Sequence, residues 1–282
     1  MNGKIVLITG GTSGIGRITV RELARMGAKV VVVGRDPARL DAVKRETGAD
    51  AIRADLQLIG DARRAAAEFR ARYARLDVLV NNAGAIFGAR QVTAEGVERT
   101  FALNHMAYFT LTTALLDVLR ASAPARVLTV ASEASRGGRI DFGNLQMERR
   151  YLGFRQYCNT KLMNLLFAFE LSRRLQDSGV TSNAVHPGTI ASGFAMQGAG
   201  SFGFLAQIAR PFLIGEEKGA RTQIWAASEP ALATVTGKYF IRRREKSPPR
   251  AALDPATARR LWEESERIAT NSSGRQAVPT GS

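Results

Sequence analysis

KIVLITGGTSGIGRITVREL, residues 4–23, decides how the rest of the chain is read. Lys4–Thr9 is an apolar run of strand length, and glycines at 10, 11, 14 and 16 interrupt it. A helical pattern follows at once from Ile15. A strand, a glycine turn and a helix in immediate succession let the helix N-terminus offer free N–H groups and a positive dipole end to a phosphate. In that setting Gly10 permits the tight turn, Gly14 lets backbone come close to a ligand, and Gly16 lets the helix pack on the sheet. Glycines also make ordinary turns, so the loop needs support from elsewhere in the chain.

The alternation continues outward. Strand patterns cover Lys4–Thr9, Lys29–Val33, Asp50–Ala54, Leu76–Asn81, Arg126–Ala131, Thr181–His186 and Gly237–Phe240. Helical patterns cover Ile15–Met26, Pro37–Thr47, Ile59–Tyr73, Asn104–Ser122, Tyr157–Asp177 and Glu216–Ala227. Dense Val/Ile/Leu runs suit strands buried on both faces of a parallel sheet. Repeated βα units with right-handed crossovers predict an α/β fold: a single Rossmann-type, doubly wound, mostly parallel sheet flanked by helices. One domain is expected over residues 1–271, with 272–282 as a polar, frayed tail.

Composition narrows the function classes. The chain has 282 residues, 45% of them hydrophobic and 23% charged, as an ordinary globular domain does. A single cysteine, Cys158, excludes an intrachain disulfide and speaks against a cysteine metal site, so no metal is expected. Forty basic residues against twenty-five acidic ones give a net charge of +15, a field that favours anions such as phosphorylated cofactors, nucleic acid or an acidic membrane. The densest basic run is Arg242-Arg243-Arg244 with Lys246. It has no interleaved stacking aromatics, so it reads as a solvated loop and nucleic acid is not an expected partner. No leader precedes Lys4 and no apolar run reaches membrane-span length, which predicts a cytoplasmic location with at most surface contact to a membrane. Nothing in the sequence sets the oligomeric state.

The spacing Thr-Gly-x-x-x-Gly-x-Gly over Thr9–Gly16 resembles that of the short-chain dehydrogenase/reductase family, and further pieces follow in that family's order. Asp55-Leu56 follows the third strand, Asn81-Asn82-Ala83-Gly84 ends the fourth, Asn104 opens the next helix and Ser132 ends the fifth strand. Tyr157 and Lys161 form a Tyr-x-x-x-Lys pair, and Pro187-Gly188 follows the sixth strand. The resemblance runs from residue 4 to about 240. The stretches ARVLTVAS (125–132), YCNTKLMNLLFAFELSRRL (157–175) and VTSNAVHPGTIASGF (180–194) look most like the retinol dehydrogenase-like branch. So does the long segment between Ser132 and Tyr157, which contains GRIDFGNLQMERRYLGF. Many members of that branch carry an N-terminal anchor or targeting extension, which is not expected here, so membrane residence and retinoid turnover do not carry over.

Tyr157 and Lys161 stand at i and i+4, on one helix face. A phenol titrates near about 10, and an adjacent ammonium is expected to draw it down toward useful acid/base range. Ser132 can hydrogen-bond a reacting carbonyl or alcohol oxygen. The resemblance gives Lys161 a second task on the nicotinamide ribose and Asn104 a place in a proton relay, completing a catalytic set of Asn104, Ser132, Tyr157 and Lys161. It also implies cofactor contacts from Gly10, Thr12, Ser13, Gly14, Ile15 and Gly16, from Asp55 and Leu56 at the adenine, and from Asn82, Ala83 and Gly84. Pro187, Gly188 and Thr189 complete that set near the nicotinamide.

His105 and His186 lack partner patterns for a metal or a triad and read as core or cap residues. Cys158 reads as packing, and Ser135 as a loop residue. The second strand runs into Gly34-Arg35-Asp36. An arginine there accommodates a 2′-phosphate, whereas a carboxylate holds the ribose of NAD. In the resembling branch this arrangement goes with NADP(H), with Arg17 offering a second charge. Alternatively Arg35 is solvated and Asp36 caps the helix that starts at Pro37.

Residues 190–215 carry Phe194, Met196, Phe202, Phe204, Leu205 and Phe212 on a glycine-punctuated stretch, which suits an apolar lid, a core helix or a membrane-touching surface. The function expected is an NADP(H)-dependent oxidoreductase interconverting a hydrophobic carbonyl and its alcohol. The alternatives are a catalytically idle NADP-binding sensor or scaffold of the same fold, and a polyanion binder.

Overall fold

Parallel strands buried on both faces need mostly apolar side chains. The computed structural model, which describes residues 1–188 and 215–275, buries its central strands on both faces, with Val, Ile and Leu predominating in β1, β2 and β4 and buried Thr, Ser, Asn and His among the residues of β5 and β6. The sheet strands are β1 (Ile5–Thr9), β2 (Lys29–Gly34), β3 (Asp50–Arg53), β4 (Val78–Asn81), β5 (Ala125–Val130), β6 (Val180–His186), β7 (Tyr239–Ile241) and β8 (Arg244–Glu245). Their order is β3-β2-β1-β4-β5-β6-β7-β8. All neighbours run parallel except β7 and β8, which form an antiparallel hairpin. Side chains alternate between two cores. Val6, Ile8, Val30, Val32 and Val80 face one, and Leu7, Val31, Val33, Leu79 and Val127 face the other.

Helices α1 (Gly14–Arg25), α2 (Pro37–Thr47) and α8 (Glu216–Ser228) bring residues such as Val20, Leu23, Leu40, Val43 and Ala226 to the first core. Helices α3 (Ile59–Arg72), α5 (Ala107–Ala114), α7 (Gly153–Arg174) and α9 (Pro255–Arg275) close the second. Helix α2 starts as the sequence suggests: Asp36 accepts from Arg39 N, Pro37 opens the first turn, and Gly48 ends it at φ 72°.

One helix start takes its cap from an acid far away in the sequence. At α3 the residue before the first turn, Leu58, offers no side-chain acceptor, and the buried Glu95 supplies it from 36 residues away. Its carboxylate accepts from Ile59 N at 2.5 Å and Gly60 N at 2.8 Å. Glu95→Ala strands both donors at a buried helix end and is expected to lower stability by about 1–2 kcal/mol. A urea midpoint at fixed pH measures the loss.

The helix expected over Asn104–Ser122 begins earlier and is broken. Helix α4 (Arg99–Phe101) leads into a π turn (Ala102–Met106), then α5, then α6 (Leu116–Ala121). Helix α9 was not anticipated, although Ala258, Leu261, Trp262, Ser265 and Ala269 recur at helical spacing and are buried. Trp262 stacks on Phe167 (5.8 Å, 13°) and meets Phe109 edge-on (5.0 Å), while the Arg174 guanidinium covers it at 4.3 Å. Helix α9 runs to Arg275, so the first four residues of the expected tail, 272–275, are helical; 276–282 lie outside the described residues.

Candidate active site

From β1 the chain builds outward to β2 and β3, then crosses back to β4. The carboxyl ends of β1 and β4 therefore form a topological switch point, where ligands bind in open α/β sheets. Thr9 fastens the two ends: its hydroxyl accepts from Asn82 N (2.8 Å) and Ala83 N (2.9 Å). Asn82 Nδ2 returns donors to Thr9 O (2.9 Å) and Gly10 O (3.3 Å). Gly10 turns at φ 67°, and a Cβ there would stand 2.8 Å from Ala83 Cα. A Cβ on Gly16 would stand 2.3 Å from Gly10 O, so only glycine lets α1 begin this close to the turn.

The loop fits an anionic group. Ser13, the residue capping α1, makes no side-chain capping bond, so it leaves the first N–H groups of the helix for another acceptor. Gly14 at φ 54° is open, its nearest neighbour being Glu216 Oε1 at 3.6 Å from a built Cβ. Thr12 packs its methyl 3.2 Å from where a Cβ on Gly34 would lie, which ties the loop to the end of β2. Ile15 is half-buried on the first turn of α1.

Arg35 follows β2 and Asp55 follows β3. They stand 3.9 Å apart on the wall of a cleft of about 760 Å³ that Arg53, Asp61 and Arg64 also line. Asp55 additionally accepts from Gln57 N at 3.0 Å, and Leu56 is buried beneath. Asp36 is engaged in capping α2 and in an ion pair with Arg39 at 3.4 Å. Arg17, expected to offer a second charge, pairs here with Glu46 on α2 at 2.6 Å and stays half-exposed. Strands β1 and β4 separate this cleft from the end of β5.

The four residues marked for chemistry meet past β4 and β5. Ser132 extends β5 (φ −161°), and its hydroxyl accepts from Ala134 N at 3.2 Å at the start of a 3₁₀ turn, Glu133–Gly137. Tyr157 on α7 hydrogen-bonds the Ser132 side chain. One helical turn on, Lys161 Nζ stands 5.6 Å from the centre of the Tyr157 ring and donates to Val130 O at 3.0 Å. Asn104 sits in the π turn, fully buried. Its amide grips Ala85 through N (2.8 Å) and O (3.0 Å) and donates to Thr160 Oγ1 at 3.1 Å. A Cβ on Gly84 would lie 3.2 Å from Asn104 Oδ1 and 3.7 Å from Lys161 Nζ, so the backbone leaving β4 threads between them. The π turn interrupts regular helix at the position of Asn104, as such turns do at functional sites.

Electrostatics here run against the simple expectation. Burial pushes the Tyr157 hydroxyl above its ordinary range, and the Ser132 hydrogen bond offsets only part of that rise. Burial also pushes the Lys161 ammonium down to about 7. The ammonium therefore does not set the Tyr157 titration; desolvation of each group does. His105 is a core residue, its Nε2 bonded to Ser265 Oγ at 2.9 Å and its pKa pushed down by burial to about 4. His186 ends β6 and Cys158 lies in α7; both are buried. Ser135 is buried in the 3₁₀ turn rather than in an open loop.

Pro187 and Gly188 follow β6, with Gly188 at φ 93°. Thr189 and the expected lid, up to residue 214, lie outside the described residues. Among the described residues no group of His, Cys, Asp or Glu is arranged to hold a metal, and no helix is long and apolar enough to cross a membrane.

Residues that patterning missed support this centre. Glu98, fully buried, accepts from Thr100 N and Phe101 N (both 2.8 Å), from the Tyr151 hydroxyl (3.1 Å) and from Gln156 Nε2 (3.0 Å). It thereby joins α4 to the segment before α7 and to the residue preceding Tyr157. Phe154 stacks on the Tyr157 ring at 6.3 Å while remaining 45% exposed, and Leu152 is 61% exposed beside it. The spacing of Phe154 three residues before Tyr157 was the available signal.

The chain is similar to known proteins over most of its length. The family model described as short chain dehydrogenase matches residues 4–199. Human retinol dehydrogenase 12 is 40% identical over 274 residues, covering 92% of this chain and 84% of its own. An uncharacterised protein from Mycobacterium paratuberculosis superposes with a TM-score of 0.78 at 32% identity, over 95% of this chain and 94% of that one. A Pseudomonas aeruginosa RhlG/NADP active-site complex gives a TM-score of 0.68 at 28% identity over 85% and 94% of the two chains. A Brucella melitensis 3-ketoacyl-(acyl-carrier-protein) reductase complexed with NADH gives 0.66 at 25% identity over 85% and 96%. The chain belongs to the short-chain dehydrogenase/reductase family, as an oxidoreductase acting between alcohols and carbonyls and similar to the retinol dehydrogenases.

Proposed function

We propose that the chain is an NADP(H)-dependent oxidoreductase that interconverts a hydrophobic carbonyl compound and its alcohol, with Tyr157 moving the proton. The observation carrying this reading is the meeting of Tyr157 with Ser132 on one side and Lys161 on the other, beside the switch point of the sheet. The glycine loop from Gly10 to Gly16, the Asn82–Gly84 turn, Pro187 and Gly188 would hold the cofactor's phosphates and nicotinamide end, with Thr189 beyond the described residues. NADP(H) supplies or takes the hydride.

In the reducing direction Ser132 orients the carbonyl oxygen and shares its growing negative charge. Tyr157 donates its proton to that oxygen, and the ammonium form of Lys161 stabilises the phenolate left behind. Asn104, held on both sides of Ala85, keeps the π turn and Thr160 in place so that Tyr157 and Lys161 stay in register. The apolar side of the substrate is supported by Phe154, which is exposed and stacks on Tyr157, and by the exposed Leu152 two residues before it. A panel of carbonyls and alcohols followed at the NADPH absorbance band tests the reading. Turnover of none of them would end it.

Support for NADP(H) over NAD(H) comes from the end of β2. Asp36, the carboxylate placed to hold a ribose, is committed to capping α2. Arg35, exposed on the cleft wall, has among the described residues only a 3.9 Å pair with Asp55 to give up. A guanidinium is permanently charged and forked to match a phosphate. Arg35→Ala is expected to weaken NADPH by about tenfold or more, and NADH hardly at all. Dissociation constants of both cofactors at fixed low salt decide it. Equal weakening would place Arg35 on the shared part of the cofactor.

A further inference from the structure

The basic run at residues 242–246 has no part in the chemistry described above, yet it is built in a costly way. Ile241 pairs with Arg244, which leaves Arg242 and Arg243 as the two-residue tip of the β7–β8 hairpin. Both have positive φ, 51° and 61°. Positive φ at both central positions defines a type I′ turn, which Asn and Gly fill readily and which a long L side chain fills under strain. An exposed tip would accept Asn-Gly without other change. Strain kept where it is easily relieved points to use of the side chains.

Charge at the tip is uncompensated too. Among the described residues Arg242, Arg243 and Arg244 form no ion pair, and the nearby acids are taken: Glu245 by Lys238 at 2.9 Å and Glu133 by Arg136 at 2.9 Å. The hairpin also stands by the reaction centre. It extends from the carboxyl end of β7, where Ile241 lies in register with His186, the last residue of β6. Arg136, in the turn that Ser132 caps, reaches Ser247 O at 3.4 Å just past the hairpin. On the α7 side of the same centre lie the exposed Phe154 and Leu152.

We infer that the substrate is amphipathic and carries a carboxylate far from its reacting carbon: the apolar body lies along Phe154 and Leu152, and Arg242 and Arg243 receive the carboxylate. This rests on the oxidoreductase reading and names its substrate class. A guanidinium pair at a solvated rim contributes modestly, so the expected preference for an acid over its neutral analogue is about five- to twentyfold. It falls toward one in 0.5 M KCl, because exposed charges are screened.

The test compares 10-oxodecanoate with decanal as NADPH-dependent substrates, in wild type and in the double variant Arg242→Asn, Arg243→Gly. Wild type is expected to show the higher kcat/KM on the oxo-acid, and the variant to bring the ratio near one. Its Tm should be equal to or above that of wild type, since Asn-Gly suits the turn. A ratio near one in wild type, or a ratio unchanged in the variant, overturns the proposal. A second readout does not need turnover: decanedioate, unlike decane-1,10-diol, should raise the Tm of wild type but not of the variant. If neither aldehyde is reduced, the proposed turnover of simple hydrophobic aldehydes with NADPH fails and the dicarboxylate shift alone judges the arginine site. Absence of that shift overturns it.

Discussion

Tyr157→Phe is expected to lower turnover by about 10²–10⁴-fold while leaving NADPH binding near the wild-type level. The substitution removes one oxygen and keeps the ring, so the stacking with Phe154 and the packing of α7 survive. What is lost is the hydroxyl that meets Ser132 and can pass a proton. Burial raises the Tyr157 pKa, so across neutral pH the hydroxyl stays protonated and suits carbonyl reduction. Alcohol oxidation needs the phenolate, and its rate should climb with pH where reduction does not. A stopped-flow measurement of NADPH binding beside steady-state reduction separates the two effects. Near-normal reduction by the variant would remove Tyr157 from the mechanism. Ser132→Ala should fall in the same direction but by less, since the tyrosine can still donate.

The fold was legible because its signals are local. Strands β1 and β2 are dense Val/Ile/Leu runs, and glycines 10 and 16 sit where a Cβ would collide with Ala83 and with Gly10 O. The Tyr157–Lys161 pair was legible for the same reason, since spacing on a helix fixes relative position. Long-range partners were not. Glu95 caps a helix 36 residues upstream, and Glu98 gathers donors from residues 100, 101, 151 and 156. Neither acid differs in sequence from a solvated one. The π turn escaped notice because its residues have ordinary helical propensity, and its role comes from how Asn104 packs against Ala85. Helix α9 was different: its apolar spacing was present, and the polar residues around it masked the pattern. The effect of burial on Tyr157 and Lys161 needs the packed structure, since two residues at i and i+4 on an exposed helix would attract as expected.

Lys161→Met is expected to abolish most activity and yet stabilise the fold at low pH. Lys161 ordinarily titrates near about 10.4, and burial brings it down to about 7. Between those values the unfolded chain holds a proton that the folded chain does not. Stability therefore rises with pH across that window. Below pH 7 both states are protonated and the whole cost of burying an ammonium is present. Above about 10.4 neither is, and the cost has gone. Methionine does not titrate, so the variant's advantage should be greatest near pH 6, a few kcal/mol at most, and should fade as pH rises toward 10. The lost donor to Val130 O is backed by Asn164 Nδ2 at 3.3 Å, so that carbonyl keeps a partner. Urea midpoints of wild type and variant at pH 6, 8 and 10 give the comparison. An offset that does not change with pH would mean that Lys161 titrates alike in folded and unfolded chains. A fading offset joined to lost turnover would mark Lys161 as a residue kept for its charge beside Tyr157 against the stability of the fold.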